Sequence, residues 1–492
     1  MVREFSRISS FKTLYSGLRF VALAKFLWQP YECRTTLSKY HPAADARHHE
    51  PFPLAMTLNW QEESGRRAQQ FSLSDELDTV NKSASSMVVL KGYPSAKWLN
   101  ALGAKFRNDP DFYQRHLCFW SESGNSISRQ NMAPRLPSAQ EETIMLRIPT
   151  IGVLTGGWQP TRRGAVQDLD SHQMVSGMIP GDSMVREFVM LDLNHFAIEQ
   201  AITINVASIG NGGWQIIVWS DAGRSLDEGF EGPWRLRMPR KSSEMTYQLI
   251  SIYRPRMALS GGWRSRKDSA TTDVRPQSAS ILFDDYDRHL NNIAQAAADP
   301  LYALSPIFSF ALFSEMALLD TLESNIRSEL THSAVTAQES PTMSNLLYIQ
   351  QILKRHIESL KEVIDFVEAF RKQPAYQSVM NSAGSTYAEE MTSMLEDFRA
   401  ALRRAEALCD ECFQGIGIVA HNATIRESQK AFAEARSVTK LTKLALVFVP
   451  LSFTTSAFGM NVKELGPRDI IMNLKDTMKM AEWFGERGGS WA

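Results

Sequence analysis

Cysteine is scarce in this sequence: 492 residues hold four, Cys33, Cys118, Cys409 and Cys412. That excludes a disulfide framework and fits domains that face a reducing compartment. Charge imbalance is also lacking. Lysine and arginine total 53, aspartate and glutamate 54, and the formal net charge is −1. Nothing in that balance calls for a nucleic-acid partner. No Gly-x-Gly-x-x-Gly and no Gly-Lys-Ser/Thr loop occurs, so a nucleotide-phosphate cradle has no support. Long apolar runs are missing with one exception, near the C-terminus. With 43% hydrophobic and 22% charged residues, the composition is that of a globular chain, not a multi-span membrane protein. The length allows two or three domains.

Residues 1–85 read as a disordered or targeting segment. The start carries Arg3, Arg7, Lys12, Arg19 and Lys25 against Glu4 alone, as mitochondrial transit peptides do. His41, His48 and His49 follow in a polar stretch with no spaced partner cluster, so a solvated loop is preferred to a metal site. Residues 86–280 read as an α/β domain with a mixed or antiparallel sheet. "PSAKWLNALGAKFRNDPDFYQRHL" has helical spacing. "ETIMLRIPTIGVL", "REFVMLDL", "ITINVASI", "WQIIVWSDA" and "TYQLISIY" read as strands. From 281 the period turns helical: 281–298, 301–330 disturbed at Pro306, and 343–371, stopped by Pro374. Residues 385–440 form a stalk helix with an apolar stripe through Met391, Leu395, Phe398, Leu402, Ala405, Cys409, Cys412, Ile416 and Val419. Continued to 460, that helix is a rod on the order of 110 Å, too long for an ordinary core. The Cys409–Cys412 pair has zinc or redox spacing, but as a single pair on a helix it reads as two small stripe residues.

The one apolar run lies in "KLTKLALVFVPLSFTTSAFGMNVKELG", where 444–460 passes 17 residues without a charge. That is the short edge of what spans a bilayer, and a buried core helix is the competing reading. Three features favour a transmembrane helix over 441–461. The approach carries Arg426, Lys430, Arg436, Lys440 and Lys443 against Glu427 and Glu434, as cytoplasmic flanks do. Pro450 sits mid-run, which membrane helices tolerate better than soluble ones. Ser452, Ser456 and Gly459 fall on one face, with Thr442, Ala445 and Val449 behind them. Such a stripe suits a helix that lines water or packs on its own copies. Hydroxyls bonding back to the helix's own carbonyls would account for it too.

A charged helix that runs into "SQKAFAEARSVTKLTKLALVFVPLSFTTSAFGMNVKEL" and closes on Gly-Met-Asn resembles the CorA-type divalent-metal transporters, most closely the CorA-like proteins of fungi. The resemblance implies a homopentamer with a cytosolic α/β domain, a stalk and a pore, and a transporter rather than an enzyme. It implies that Gly459, Met460 and Asn461 form the outer mouth, that Ser452 supplies a hydroxyl ring beside Ser456, and that Val449 and Leu441 are apolar constrictions. It implies Mg2+ as transported ion, with no resident cofactor. It also implies cytosolic metal sensing, for which Asp284, Asp285, Asp287, Glu389 and Glu390 are candidates without a matching motif.

The family carries a second span soon after this motif. Residues 462–492 hold five basic and five acidic side chains, and their longest apolar run is "IIM". They read as a polar or amphipathic tail, with Ile470, Leu474, Met478 and Ala481 on one face. The resulting expectation is a single-pass membrane protein, with a cytosolic N-terminal domain, in the plasma membrane or an internal one such as the mitochondrial. Its partners are a divalent ion, lipid, and its own copies or full-length paralogues. The alternative is a non-conducting, membrane-anchored regulator derived from such a transporter. A third reading is a soluble helical protein with 444–460 in its core.

Overall fold

Pro110 breaks the first helical segment. Without an N–H it cannot continue a helix, but it suits a first turn, and Asp109 before it accepts from Asp111 N at 2.9 Å. The single helix expected over this stretch is therefore two, α1 (Ala96–Phe106) and α2 (Pro110–His116). Ser95 caps α1, and Arg107 closes it in the left-handed region, at φ 54°.

The computed structural model describes residues 53–60, 68–72, 85–117, 142–155, 180–192, 195–209, 213–226, 244–247, 292–335, 339–373 and 385–459, with a few single positions and short pieces between them. Eight strands form one sheet: β1 (Ala55–Asn59), β2 (Ala68–Phe71), β3 (Ser86–Lys91), β4 (Thr143–Thr155), β5 (Glu187–Met190), β6 (His195–Ile209), β7 (Gly213–Ser220) and β8 (Glu244–Tyr247). The order is β2-β1-β3-β7-β6-β4-β8, and β5 pairs with β6 beside β7. Only β3 and β7 run parallel; the other pairs are antiparallel. The mixed sheet agrees with the sequence reading, but β1 and β2 lie in the stretch expected to be tail or linker. Their four- and five-residue runs are too short to show a period of two between polar loops.

β6 holds the sheet together. It is buried without a break from Phe196 to Val206, so both its faces are covered. Its alternation therefore carries little polarity signal. Gly152 on β4 faces Phe196 on β6, where a Cβ would come within 2.1 Å of the ring. Over Val88, Leu90, Ile217 and Trp219 lie Trp98, Leu99 and Leu102 of α1 and Phe112 and Tyr113 of α2.

The helices follow: α3 (Ile293–Ala298), α4 (Pro300–Val335), α5 (Glu339–Lys372) and α6 (Ser385–Gly459). The helix expected over 281–298 is confined to the short α3, because Asn292 caps it late by accepting from Gln295 N at 3.1 Å. Asp299 restarts the chain as α4, its Oδ1 accepting from Leu301 N at 2.7 Å. Pro306 lies inside α4 without ending it. The chain divides into two compact units, 1–415 and 416–492.

Within the first unit, α4 packs on β4 and α5. The stripe expected along α6 is buried or half-buried as far as Cys412. Phe398 meets Phe308 edge-on at 6.3 Å. Arg399 pairs with Glu368 at 2.6 Å, and Lys361 with Glu406 at 2.8 Å. Gly415 lets α6 come close to α4, since a Cβ there would fall 2.6 Å from Leu330 Cδ2. Sequence reading gives that glycine only a cost in helix propensity, whereas the packing requires it.

Candidate functional site

In the second unit, α6 runs to Gly459 with Pro450 inside it. At 100° per residue, Leu441, Ala445, Val449, Ser452, Ser456 and Gly459 fall within about 80° of arc. Leu444, Leu446, Val447, Leu451 and Phe453 occupy the rest of the circumference, with Phe448 on the flank. The large apolar side chains are bare: Leu441 and Val449 are each 64% exposed, and Phe453 is 74% exposed. Water is a poor neighbour for so much contiguous apolar surface.

The hydroxyls of this segment turn back on their own helix. Ser452 Oγ donates to Val449 O at 2.9 Å, Thr454 Oγ1 to Leu451 O at 2.8 Å, and Thr455 Oγ1 shares the carbonyls of Leu451 and Ser452 at 3.0 Å. Ser452 has thereby committed its only proton. What it offers outward is an oxygen lone pair, an acceptor and not a donor.

Two helices among the described residues are long and apolar enough to cross a membrane, within Pro300–Thr331 and Met391–Ser456. The apolar window of the first is 72% buried in the protein, so it is a core helix; that of the second is not buried at all. Residues 299–483 match the family described as CorA-like Mg2+ transporter protein. No curated protein matches the sequence. The CorA-like region takes in α4, α5 and α6, and the sheet precedes it. That region is therefore similar to a family of divalent-cation transporters, and the α6 within it is long and apolar enough to cross a membrane.

Of the motif at the expected mouth, Gly459 ends α6, while Met460 and Asn461 lie outside the described residues. So do His41, His48, His49, Asp284, Asp285, Asp287, the side chains of Glu389 and Glu390, and the tail. Leu441, Val449, Ser452 and Ser456 share one face of α6, on a segment that is exposed all round. Among the described residues no group of three or more His, Cys, Asp or Glu side chains could hold a metal ion. Cys409 and Cys412 are free thiols, and burial pushes Cys412 up to about 12. It is an inert stripe residue and not a redox centre.

The CorA-like helices meet the sheet through buried charge that sequence reading did not single out. His356 on α5 has Nδ1 2.9 Å from Glu315 on α4 and Nε2 3.2 Å from Glu199 on β6. Arg355 reaches Glu199 at 2.6 Å and also bonds Glu187 on β5. Arg147 on β4 completes the group, 2.9 Å from Glu199. Three cations face three carboxylates. Burial opposes a charge on His356, but Glu315 and Glu199 override it and raise the imidazole to about 9. Burial likewise opposes the charge on Glu199, and His356, Arg355 and Arg147 hold it well below the usual carboxylate range.

Four residues along the same face of β6, Thr203 belongs to a second network. Its Oγ1 lies 2.7 Å from His116 Nδ1, and His116 Nε2 lies 2.9 Å from Asp221 Oδ1. Hydroxyl, imidazole and carboxylate in line have the form of a hydrolytic triad. Here all three are sealed, with His116 stacked 4.0 Å over Trp219 and Asp221 held by Arg186 at 2.5 and 2.9 Å. No substrate reaches them, and the group is a polar core.

Burial lowers His116 to about 4, more than Asp221 raises it. A histidine so depressed supports folding fully above about 6.5, and that support is lost as pH falls toward 4. The expected loss over this window is about 3 kcal/mol. Melting of the detergent-solubilised chain between pH 6.5 and 4 should therefore be shallower in His116→Asn than in the natural protein; equal slopes would remove His116 as the cause.

Proposed function

We propose that this chain is a subunit of a homo-oligomeric transporter for divalent cations, Mg2+ first among them. The ion path is lined by the α6 face of Leu441, Val449, Ser452 and Ser456, with Gly459, Met460 and Asn461 at its mouth. The observation that carries this is the coexistence, on one uncovered helix, of an apolar lipid-side surface and a narrow polar face, inside the region that matches the CorA-like family.

The chemistry of the face supports a hydrated ion. Mg2+ is small, hard and slow to shed water. Its first-shell waters point their protons outward, so a wall that accepts hydrogen bonds suits it. Ser452, its proton already given to Val449 O, is such an acceptor. A ring of these oxygens would hold the ion with its shell on, and the apolar rings at Val449 and Leu441 would close the path by dewetting when narrowed. The basic approach from Arg426 to Lys443 supports a cytosolic sheet, with α6 crossing the membrane once.

The test is growth and Mg2+ uptake in a host strain stripped of its own magnesium transporters. Expression of the chain is expected to restore both. Uptake of Co2+ or Ni2+ without Mg2+ would change the ion. No uptake of any divalent ion by protein shown to be in the membrane would overturn the proposal.

A further inference from the structure

The buried charge network lies within the first unit, and its composition is that of a switch. Six charged groups from five elements meet: Arg147 of β4, Glu187 of β5, Glu199 of β6, Glu315 of α4, and Arg355 and His356 of α5. Histidine is the one side-chain type among them whose ordinary titration lies near neutral pH. His356 sits at the junction, bonded on one side to a helix and on the other to the sheet. Glu315 depends on it, because Oε2 meets the imidazole while Oε1 is buried with no hydrogen-bond partner.

We propose that His356 is a proton-dependent latch that holds α5 against the sheet and releases it when the imidazolium gives its proton to solvent. In the closed state three positive groups balance three negative ones. After the proton leaves, three carboxylates face two guanidinium groups, and the two carboxylates nearest the imidazole, Glu199 and Glu315, are buried. Moreover, a neutral imidazole has one N–H, so it can donate to Glu315 or to Glu199 but not to both. The group left without a donor is buried charge, which the packing tolerates poorly. Separation of α5 from β6 lets water reach it. Arg355, next along α5, would carry Glu187 and Glu199 with it or lose them.

The latch leads onward. Lys361 and Glu368, one and three turns further along α5, are paired with Glu406 and Arg399 of α6. A looser α5 therefore reaches the helix whose continuation carries the polar face. The raised value of about 9 for His356 places the release on the alkaline side of neutrality, closed below about 6.5 and open above 9.

Millisecond-pulse hydrogen exchange on the full chain in detergent, from pH 7 to 10 and corrected for intrinsic rates, reads the latch directly. Peptides from α5 and from β6 around Glu199 are expected to lose protection together across pH 8–10, while peptides of α1 keep theirs. His356→Gln, which has no proton to lose, is expected to show no such step. Should that variant not fold, Glu315→Gln tests the same point: with one carboxylate gone, the step moves toward neutral pH. Constant protection of α5 through pH 10 in the natural protein would overturn the proposal. So would an unchanged step in His356→Gln, or in Glu315→Gln if only that variant folds.

Discussion

Glu199→Ala is expected to destabilise the unit 1–415 by about 3–5 kcal/mol, the usual consequence of removing one partner from a buried charge group. Glu199 is only 2% exposed and is the one carboxylate that touches all three cations. Without it Arg147 has no acid among these groups, Arg355 keeps Glu187, and His356 keeps Glu315. A net positive charge stays behind in a largely buried site. The alanine also opens a cavity on β6, though that is the smaller effect. Glu199→Gln separates the two, since it fills the space and accepts a hydrogen bond but brings no charge. The expected order of melting temperatures in detergent is natural protein, then Glu199→Gln, then Glu199→Ala. If alanine melts within a degree of the natural protein, the charge group contributes nothing to the fold and its geometry is incidental.

Ser452→Leu is expected to take divalent-cation uptake to background, and Asn461→Ala to do the same, with both proteins still in the membrane. Leucine at 452 replaces an acceptor oxygen with a methyl fork on every copy around the path, so the hydrated ion meets a third apolar ring beyond Val449 and Leu441. At position 461 the change removes the amide oxygen proposed to meet the ion first. Phe453→Leu is the control: one residue from Ser452, it lies about 100° around the helix, on the lipid side. Uptake there is expected to stay near that of the natural protein. Retained uptake in Ser452→Leu, or its loss in Phe453→Leu, would mean that the path lies on another face.

The parts of this molecule legible in its sequence are those with a strong period or a strong stop. The 75 residues of α6 were readable because an apolar residue recurs every three or four positions and no proline interrupts until Pro450. The strands from β4 to β7 were readable from β-branched and aromatic runs between turn residues. The edge strands β1 and β2 were not, being short and set among polar residues. The charge network hid for a different reason. Glu199 interrupts "AIEQAITI", and His356 replaces an aliphatic residue in the α5 stripe of Leu346, Ile349, Leu353, Leu360 and Val363. Each is a polar group set within an apolar pattern. Their partners are 41 and 157 residues from His356, and no spacing rule joins positions so far apart. For the proposed ion path the reverse holds, since everything that defines the face lies within one helix.

The parallel pairing of β3 with β7 has a consequence for how the chain is made. β3 ends at Lys91 and its partner begins at Gly213, so about 120 residues must be synthesised before the pair can close. At typical elongation rates that is roughly 6–25 s. β1 and β2 can join β3 at once, and β6 and β7 can form their antiparallel pair as soon as they emerge. Between those events Val88, Val89 and Leu90 stand at an open edge next to a growing chain, where a wrong strand could take the place of the right one. The seam of the finished sheet closes late, with only β8 still to be added after β7, and the newborn protein needs protection there.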